Sequence, residues 1–490
     1  MAKRVAIIDI GSNSVRMVVY EKVSRFAFHL LYEEKSKVRI SEDAYKHKGM
    51  LQEIPMQRTF DALSDFLQIS HSFKTTKLLC VATSALRDAP NKKDFLQKVK
   101  QNLKLNIKII SGEKEAYYGA IACANLLPKQ EKALSIDIGG GSTELAYIDE
   151  QNVSQTLSLK LGTVRLKELY FDGDDIEGAI QYIDSQLEYL PNEKIQTLIG
   201  IGGTFRAISR SIMKRENYPL NKLHAYEYDY LTFKKFIKEL LSAKSNKDLK
   251  TLFINSNRYD VIKPGALILQ RVIQKVNLKK IITSGVGVRE GVYLSDLLRN
   301  SKHKFPHNYN TSVRYLMDSY VQDKQFANHL NVLSKRVFDL SAEYLQIDVK
   351  YRYHLALAAK LYCAGSNVHF YSQNKHTYYL IQSALEYGFT HQDIMLISTL
   401  TKYAKSKLPS STHLQLYKVL LPKERVTKAL SYLLSLTIAL LSHKPRNIDF
   451  ELTFSKNTLH VNSQQKLYLA QESVAKLKCE HQEFRIKFNS

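Results

Sequence analysis

Between Val5 and about Asn300, short unbroken apolar runs alternate with stretches in which apolar positions recur at helical spacing. The runs Val5-Ala-Ile-Ile, Lys77-Leu-Leu-Cys-Val-Ala, Asn106-Ile-Lys-Ile-Ile, Ala133-Leu-Ser-Ile-Asp, Thr197-Leu-Ile-Gly-Ile and Lys280-Ile-Ile-Thr-Ser each stop at a polar or glycine turn. Runs of this kind predict buried strands, and the helical stretches between them predict an α/β architecture. Ligands in such sheets bind where strands end, so the turns are where chemistry should collect. Past Asn300-Ser-Lys-His-Lys-Phe-Pro, helical periodicity dominates to about His443. Then Ile448-Asp-Phe-Glu-Leu-Thr-Phe and Thr458-Leu-His-Val alternate like strands around Ser455-Lys-Asn, followed by a helix-like stretch over 463–478. The pattern divides the chain into 1–125, 126–300, a helical 301–444 and a small α/β tail over 445–490.

Two of the turns are alike. In Asp9-Ile-Gly-Ser-Asn-Ser and Asp137-Ile-Gly-Gly-Gly-Ser-Thr, an apolar run ends at an aspartate, the backbone turns on glycine, and small polar residues precede a second β-like run. Glycine admits crowded backbone and close ligand approach, and successive N–H groups in a turn form a concave anion site. This is the look of a strand-turn-strand hairpin that holds a phosphate. A carboxylate repels phosphate, so the aspartates imply a cation or an oriented water. Two such loops in one chain suggest a duplicated fold with the ligand between its halves.

Composition narrows the ligand. At 490 residues the chain is too long for one core, and its 44% hydrophobic and 24% charged residues are ordinary for a globular protein. The net charge is +24, and residues 301–490 hold 25 Lys/Arg against 13 Asp/Glu. A field of that sign attracts polyanions such as nucleic acid, an anionic membrane or a chain of phosphates, although many of these lysines also suit solvated helix faces. Cys80, Cys123, Cys363 and Cys479 are far apart and make neither a zinc spacing nor a disulfide framework, so a reducing cytoplasm is expected. Met1-Ala-Lys-Arg runs into a strand with no leader pattern. The stretch 429–441 is too short to span a bilayer and reads as a buried helix.

The turns also come in a recognisable order. Ile8-Asp-Ile-Gly-Ser-Asn-Ser-Val-Arg, Ala82-Thr-Ser-Ala-Leu-Arg-Asp-Ala, Ile110-Ser-Gly-Glu-Lys-Glu-Ala, Ile136-Asp-Ile-Gly-Gly-Gly-Ser-Thr-Glu-Leu, Gly200-Ile-Gly-Gly-Thr and Ser284-Gly-Val-Gly-Val-Arg-Glu-Gly resemble the exopolyphosphatase / guanosine pentaphosphate phosphohydrolase family. That family is a branch of the superfamily of actin, heat-shock chaperones and sugar kinases. The resemblance covers residues 5 to about 295. It implies two actin-like (ribonuclease H-like) lobes with the active site in the cleft. It also implies release of orthophosphate from inorganic polyphosphate, or conversion of guanosine pentaphosphate (pppGpp) to ppGpp, with Mg²⁺ or Mn²⁺.

The same resemblance assigns residues. Glu115 is the expected base; where the family has a Glu-Glu pair, this chain has Lys114, and Glu113 one position earlier is expected on the surface. Asp137 and Glu144, joined by Asp9, are expected to bind the metal. Arg87 is expected to clamp a phosphate or stabilise the transition state with its rigid donor fork, or else to pair with Asp88. Ser12, Asn13, Ser14, Ser142, Thr143 and the backbone at Gly139, Gly140 and Gly141 are expected to cradle the terminal phosphates. Gly203 in Gly202-Gly203-Thr204 marks the second lobe's wall, and Arg289 is equally open to a structural role.

Longer members of the family carry a helical domain related to HD phosphohydrolases. Here Leu361-Tyr362 occupies the His-Asp position, so the HD metal ligands are absent and the histidines are expected in the core or on the surface. Lys360, Lys375, Lys402, Lys405 and Lys407 are candidates to line a channel for a long phosphate chain. A homodimer joined through this domain, no DNA partner and no membrane are expected. The alternatives are a non-catalytic sensor or scaffold that binds polyphosphate or (p)ppGpp, and an ATP-dependent kinase of the superfamily, for which no acceptor pocket is indicated.

Overall fold

The computed structural model describes residues 4–190, 195–405, 407–478 and 484–489. Met1-Ala-Lys, where no leader pattern is expected, and Cys479 lie outside them. The chain forms two compact units, Met1–Tyr309 and Asn310–Ser490.

The first unit is built on two sheets of matching topology. β1 (Arg4–Ile10), β2 (Val15–Lys22), β3 (Phe28–Ser36), β4 (Lys77–Ala82) and β5 (Ile107–Ile109) are ordered β3-β2-β1-β4-β5. β6 (Gln130–Ile138), β7 (Thr143–Glu150), β8 (Asn152–Leu159), β9 (Thr197–Ile201), β10 (Tyr226–Asp229) and β11 (Lys280–Thr283) are ordered β10-β11-β9-β6-β7-β8. In each sheet a first strand pairs antiparallel with the second and parallel with the fourth or its counterpart. The hairpins β1-β2 and β6-β7 therefore occupy equivalent places, and each carries a glycine loop. Their registers also correspond: Asp9 faces Arg16, and Asp137 faces Glu144. β1 and β6 are nearly continuous in buried Val, Ile, Leu and Ala, as strands covered on both faces require.

Two helices frame the cleft from behind. Gly112–Leu126 buries Ala116, Ala120, Cys123 and Ala124 against Ala133, Ala146, Ile199 and Ile201 of the second sheet. The small side chains let helix and sheet approach closely. Helix Val288–Leu297 crosses it with Gly291 set against the Tyr118 carbonyl, where a Cβ would have no room. Glu290 fixes the start of this second helix, since its carboxylate accepts from Gly287 N at 2.7 Å and from the Tyr20 hydroxyl at 2.5 Å.

The second unit packs helices Lys324–Ser341, Arg352–Leu361, Gln373–Ala384, His391–Tyr403 and Glu424–Leu440 around one core that includes Leu330, Val337, Leu357, Ile397 and Leu433. The buried helix expected at 429–441 lies within Glu424–Leu440. β12 (Glu451–Ser455) and β13 (Thr458–Asn462) form the expected hairpin, and β14 (Arg485–Asn489), which was not expected from the sequence, adds a third strand parallel to β13. The helix-like stretch that follows is helical only over Tyr468–Ala475. Leu361 and Tyr362 are buried. Among the described residues, no group of three or more His, Cys, Asp or Glu could hold a metal. The histidines are structural partners: His354 pairs with Asp393 at 2.7 Å, and His413 lies between Thr399 and Lys402 at 2.9 and 3.2 Å. Lys402 itself lies over the rings of Tyr378 and Tyr403, so it is packed within this unit. No helix among the described residues is long and apolar enough to cross a membrane.

Gly291→Ala forces the two framing helices apart. Overpacking of this kind costs about 1–3 kcal/mol, and the expected outcome is a lower midpoint in denaturant unfolding with the slope unchanged.

Candidate active site

The two glycine loops meet at the floor of the cleft. Each turn is closed by the same bond, Gly11 N to Ser14 O at 3.2 Å and Gly139 N to Ser142 O at 2.9 Å. The loops touch because Gly140 carries no side chain: a Cβ there would stand 2.7 Å from Ser12 Cβ. Ser12 is buried and shares a hydrogen bond with Ser84 across 3.1 Å.

Of the residues expected from the sequence, Asp9, Ser12, Asn13, Ser14, Glu115, Asp137, Gly139, Gly140, Glu144 and Gly203 line one cavity between the lobes. Glu115 enters it from the first helical turn after β5, while Glu113 is exposed outside. Arg87 stands behind the wall between the two glutamates. Its Nη1 donates to Glu115 Oε2 at 3.1 Å and to the Ile110 carbonyl at 3.2 Å, and its Nη2 donates to Ser142 Oγ at 3.3 Å and stands 4.0 Å from Glu144 Oε1. Its Nε is 3.7 Å from Asp88. Gly141 gives its carbonyl to Arg165 Nε at 2.9 Å, so it supports the loop from outside the cavity. Thr143 is a correction. Its hydroxyl donates to the Leu161 carbonyl at 2.6 Å and is fully buried away from the cavity, because the first residue of β7 turns its side chain into the sheet packing.

The carboxylates are shifted together. Burial raises Asp9, lifts Asp137 to about 6, and holds Glu144 well above the ordinary glutamate range. Burial, with the charge of Glu144 next, also holds Glu115 well above the ordinary glutamate range, against the pull of Arg87. Asp9 and Asp137 make no hydrogen bond or ion pair among the described residues, whereas Glu144 accepts from Ser158 Oγ at 3.0 Å. Two partly exposed carboxylates without partners, facing a cavity, suit a hard divalent cation. Mg²⁺ takes one or two carboxylates and fills its octahedron with water and phosphate oxygens, so a larger protein ligand set is not required.

The same cavity is also lined by cations, and most of them lie outside the residues expected from the sequence. Arg16, Lys35, Arg206, Arg258 and Arg289 line the same cavity. Burial lowers Arg16 to about 10, helped by the charges of Arg289 and Arg206. Lys35, exposed at the rim of the cavity, is lowered to about 8 by partial desolvation, with Arg16 and Arg258 adding to the effect. Arg206 and Arg258 are lowered by burial too. For Arg289, burial works against the charge, but Glu290 and Glu33 outweigh it, and Glu33 accepts from Nη1 at 2.7 Å. Cations that depress one another are a standing demand for anions. Arg16 sits inside a quoted motif, at the hairpin position opposite Asp9. Arg206 follows Gly203 by less than a helical turn. Lys35 and Arg258 carry no local signal, since only the tertiary fold brings them together.

A family model described as the Ppx/GppA phosphatase family matches residues 18–300, and one described as Ppx/GppA phosphatase, domain III, matches residues 309–485. A protein of Photobacterium profundum named guanosine-5'-triphosphate,3'-diphosphate pyrophosphatase is 26% identical over 417 residues, covering 83% of this chain and 81% of that one. A protein of the same name from Vibrio vulnificus is 26% identical over 481 residues, covering 94% and 92%. Among solved structures, the Aquifex aeolicus member of the Ppx/GppA family superposes with a TM-score of 0.53 at 27% identity, over 61% of this chain and 99% of that one.

Lys35 gives the cavity a pH dependence. Its ammonium, present below about 8, attracts a polyanion and is lost above. Affinity for tripolyphosphate, read by calorimetry, is therefore expected to weaken as pH rises through that value. Lys35→Met is expected to show the weaker affinity throughout and a shallower fall, since the ionisation of Glu144 in the same cavity still opposes the anion.

Proposed function

This chain belongs to the Ppx/GppA phosphatase family, and from that premise we propose that its cleft hydrolyses a terminal phosphoanhydride bond with water. The product is orthophosphate, from inorganic polyphosphate, from guanosine pentaphosphate, or from both. The observation that carries this reading is the cavity that Glu115, Asp9 and Asp137 line together with five cationic side chains and two glycine loops.

The terminal phosphate sits on the loops at Ser12, Asn13, Ser14, Gly139 and Gly140, where backbone N–H groups and small side chains leave room for its oxygens. Arg16, Arg206, Arg258, Arg289 and Lys35 hold the phosphates that follow. Water attacks the terminal phosphorus in line with the bridging oxygen, its proton passes to Glu115, and the bond from phosphorus to the bridging oxygen breaks, leaving the shortened chain as the departing anion. A base needs a pKa near the working pH, and burial moves Glu115 in that direction. Arg87 keeps the Glu115 carboxylate oriented through its 3.1 Å bond. Asp9 and Asp137 are the two carboxylates that would hold Mg²⁺ or Mn²⁺, the rest of its coordination being left to water and phosphate oxygens. When bound, such an ion neutralises charge on the phosphate oxygens.

Polyphosphate and guanosine pentaphosphate present the same terminal group to the same loops, so the cationic wall decides between them. A long chain engages more of that wall, and its affinity depends more steeply on salt.

Glu115→Gln keeps the shape and removes the base. General-base catalysis contributes about 10²–10⁴-fold, so phosphate release with Mg²⁺ is expected to fall by that order while substrate affinity stays near the wild-type value. Undiminished turnover would remove Glu115 from this role. Raising ionic strength is expected to weaken binding of long polyphosphate more than that of tripolyphosphate; equal slopes would count against the cationic wall as the chain's binding surface.

A further inference from the structure

A second cavity lies behind the first glycine loop, and Ser12 and Asn13 line both. On the facing helix Thr163–Leu169, Thr163 borders the front cavity and Val164 the rear one. The partition is therefore one residue thick. It consists of the Ser12 side chain, the Gly140 backbone and the Val164 side chain, packed so that a Cβ on Gly140 would meet Ser12 Cβ at 2.7 Å and Val164 Cγ2 at 3.3 Å.

The two cavities differ in charge. Those of the rear cavity are satisfied among themselves: Arg39 with Asp260 at 2.8 Å and Glu42 at 3.6 Å, Lys46 with Asp43 at 3.3 Å, and Lys167 with Asp172 at 2.6 Å. The Glu168 carboxylate accepts from the backbone N–H groups of Asp43 at 2.9 Å and Tyr45 at 3.2 Å. The rear cavity has no crowd of mutually depressed cations like the one in front. Four carboxylates, Glu42, Asp43, Glu168 and Asp260, line it against the three cations Arg39, Lys46 and Lys167, so an anion gains little by staying there.

An enzyme that removes the last phosphate of a chain frees its product at the deepest point of the cleft. The shortened chain still fills the path behind that product, held by the cationic wall. We propose that orthophosphate leaves through the rear cavity, passing between Ser12 and Val164 beneath Gly140. Its outer mouth lies where Arg39 meets Asp260 and Lys46 meets Asp172, at 2.8 and 3.4 Å, contacts that tie one lobe to the other. Opening the partition releases the Ser12 hydroxyl from Ser84, at 3.1 Å, and the Gly140 carbonyl from the N–H groups of Val164 and Arg165, at 2.8 and 3.1 Å, so the loop and the helix part while the strands stay in place. The proposal rests on the exo-hydrolytic reading above and adds the route of the product.

The test compares phosphate formed with phosphate freed. Rapid quenching counts all orthophosphate formed, bound or free, whereas a fluorescent phosphate-binding sensor sees only what has left the enzyme. With long polyphosphate and Mg²⁺, the two traces of the wild-type protein are expected to rise together. Val164→Phe narrows the partition, and Lys167→Trp obstructs the outer mouth from a partly exposed position that spares the core. In both variants a burst of bound phosphate is expected, followed by release slowed about tenfold, because the limiting step becomes product departure. Coincident traces at the wild-type rate in both variants would overturn the route. So would formation and release falling in the same proportion, which would mark damage to the chemical step. If the wild-type protein forms no phosphate from polyphosphate or guanosine pentaphosphate, the hydrolase reading fails, and the route with it.

Discussion

Four carboxylates and five cationic side chains line one cleft, and the rest of the structure answers to that crowding. Burial makes both sets reluctant to carry their charge, so the carboxylates bind protons more tightly and Arg16 and Lys35 hold theirs less tightly. The two sets do not cancel within the protein, since Asp9 and Asp137 make no ion pair with these cations among the described residues. A phosphate chain with a divalent cation relieves both at once, the cation at the carboxylates and the phosphates at the arginines. The unfavourable charge arrangement of the free protein is thus stored affinity for its ligand.

The duplicated sheets are what hold such a cleft open and fixed. The same hairpin, placed twice, delivers a glycine loop from each lobe and an aspartate at the end of each first strand. The paired position across the hairpin then differs: Arg16 in the first lobe, Glu144 in the second. One lobe contributes a cation and the other a carboxylate from equivalent geometry. Behind them, the close crossing at Gly291 and the Glu290 cap hold Arg289 at the cleft edge. Rigid backbone here matters because misplaced groups in such a site lose their electrostatic effect quickly with distance.

Much of this was legible in the sequence because it is local. Strand runs, glycine turns and the aspartates that end them sit within a few residues of one another, and six such turns in order pointed to the family. Glu115 was readable from its motif, as was the placement of Glu113 outside. What the chain did not announce is what the fold assembles from afar. Lys35 lies near the end of β3 and Arg258 in a short 3-10 turn far downstream, and neither belongs to a motif. Thr143 misled for the converse reason: its place in a phosphate-loop pattern says nothing of the Leu161 carbonyl that takes its hydroxyl. β14 alternates as β12 and β13 do, but it joins their hairpin from beyond the helix Tyr468–Ala475, so no turn next to it marks it as part of that sheet.

The central claim is that water, activated in this cleft, attacks the terminal phosphorus of a polyphosphorylated chain. Hydrolysis in water enriched in heavy oxygen, followed by mass spectrometry of both products, tests it most directly. The account predicts that the heavy atom appears in the released orthophosphate and that the shortened chain or nucleotide carries none. Label in the shortened product would place the attack on a different phosphorus and contradict the arrangement of Glu115 and the glycine loops around the terminal group.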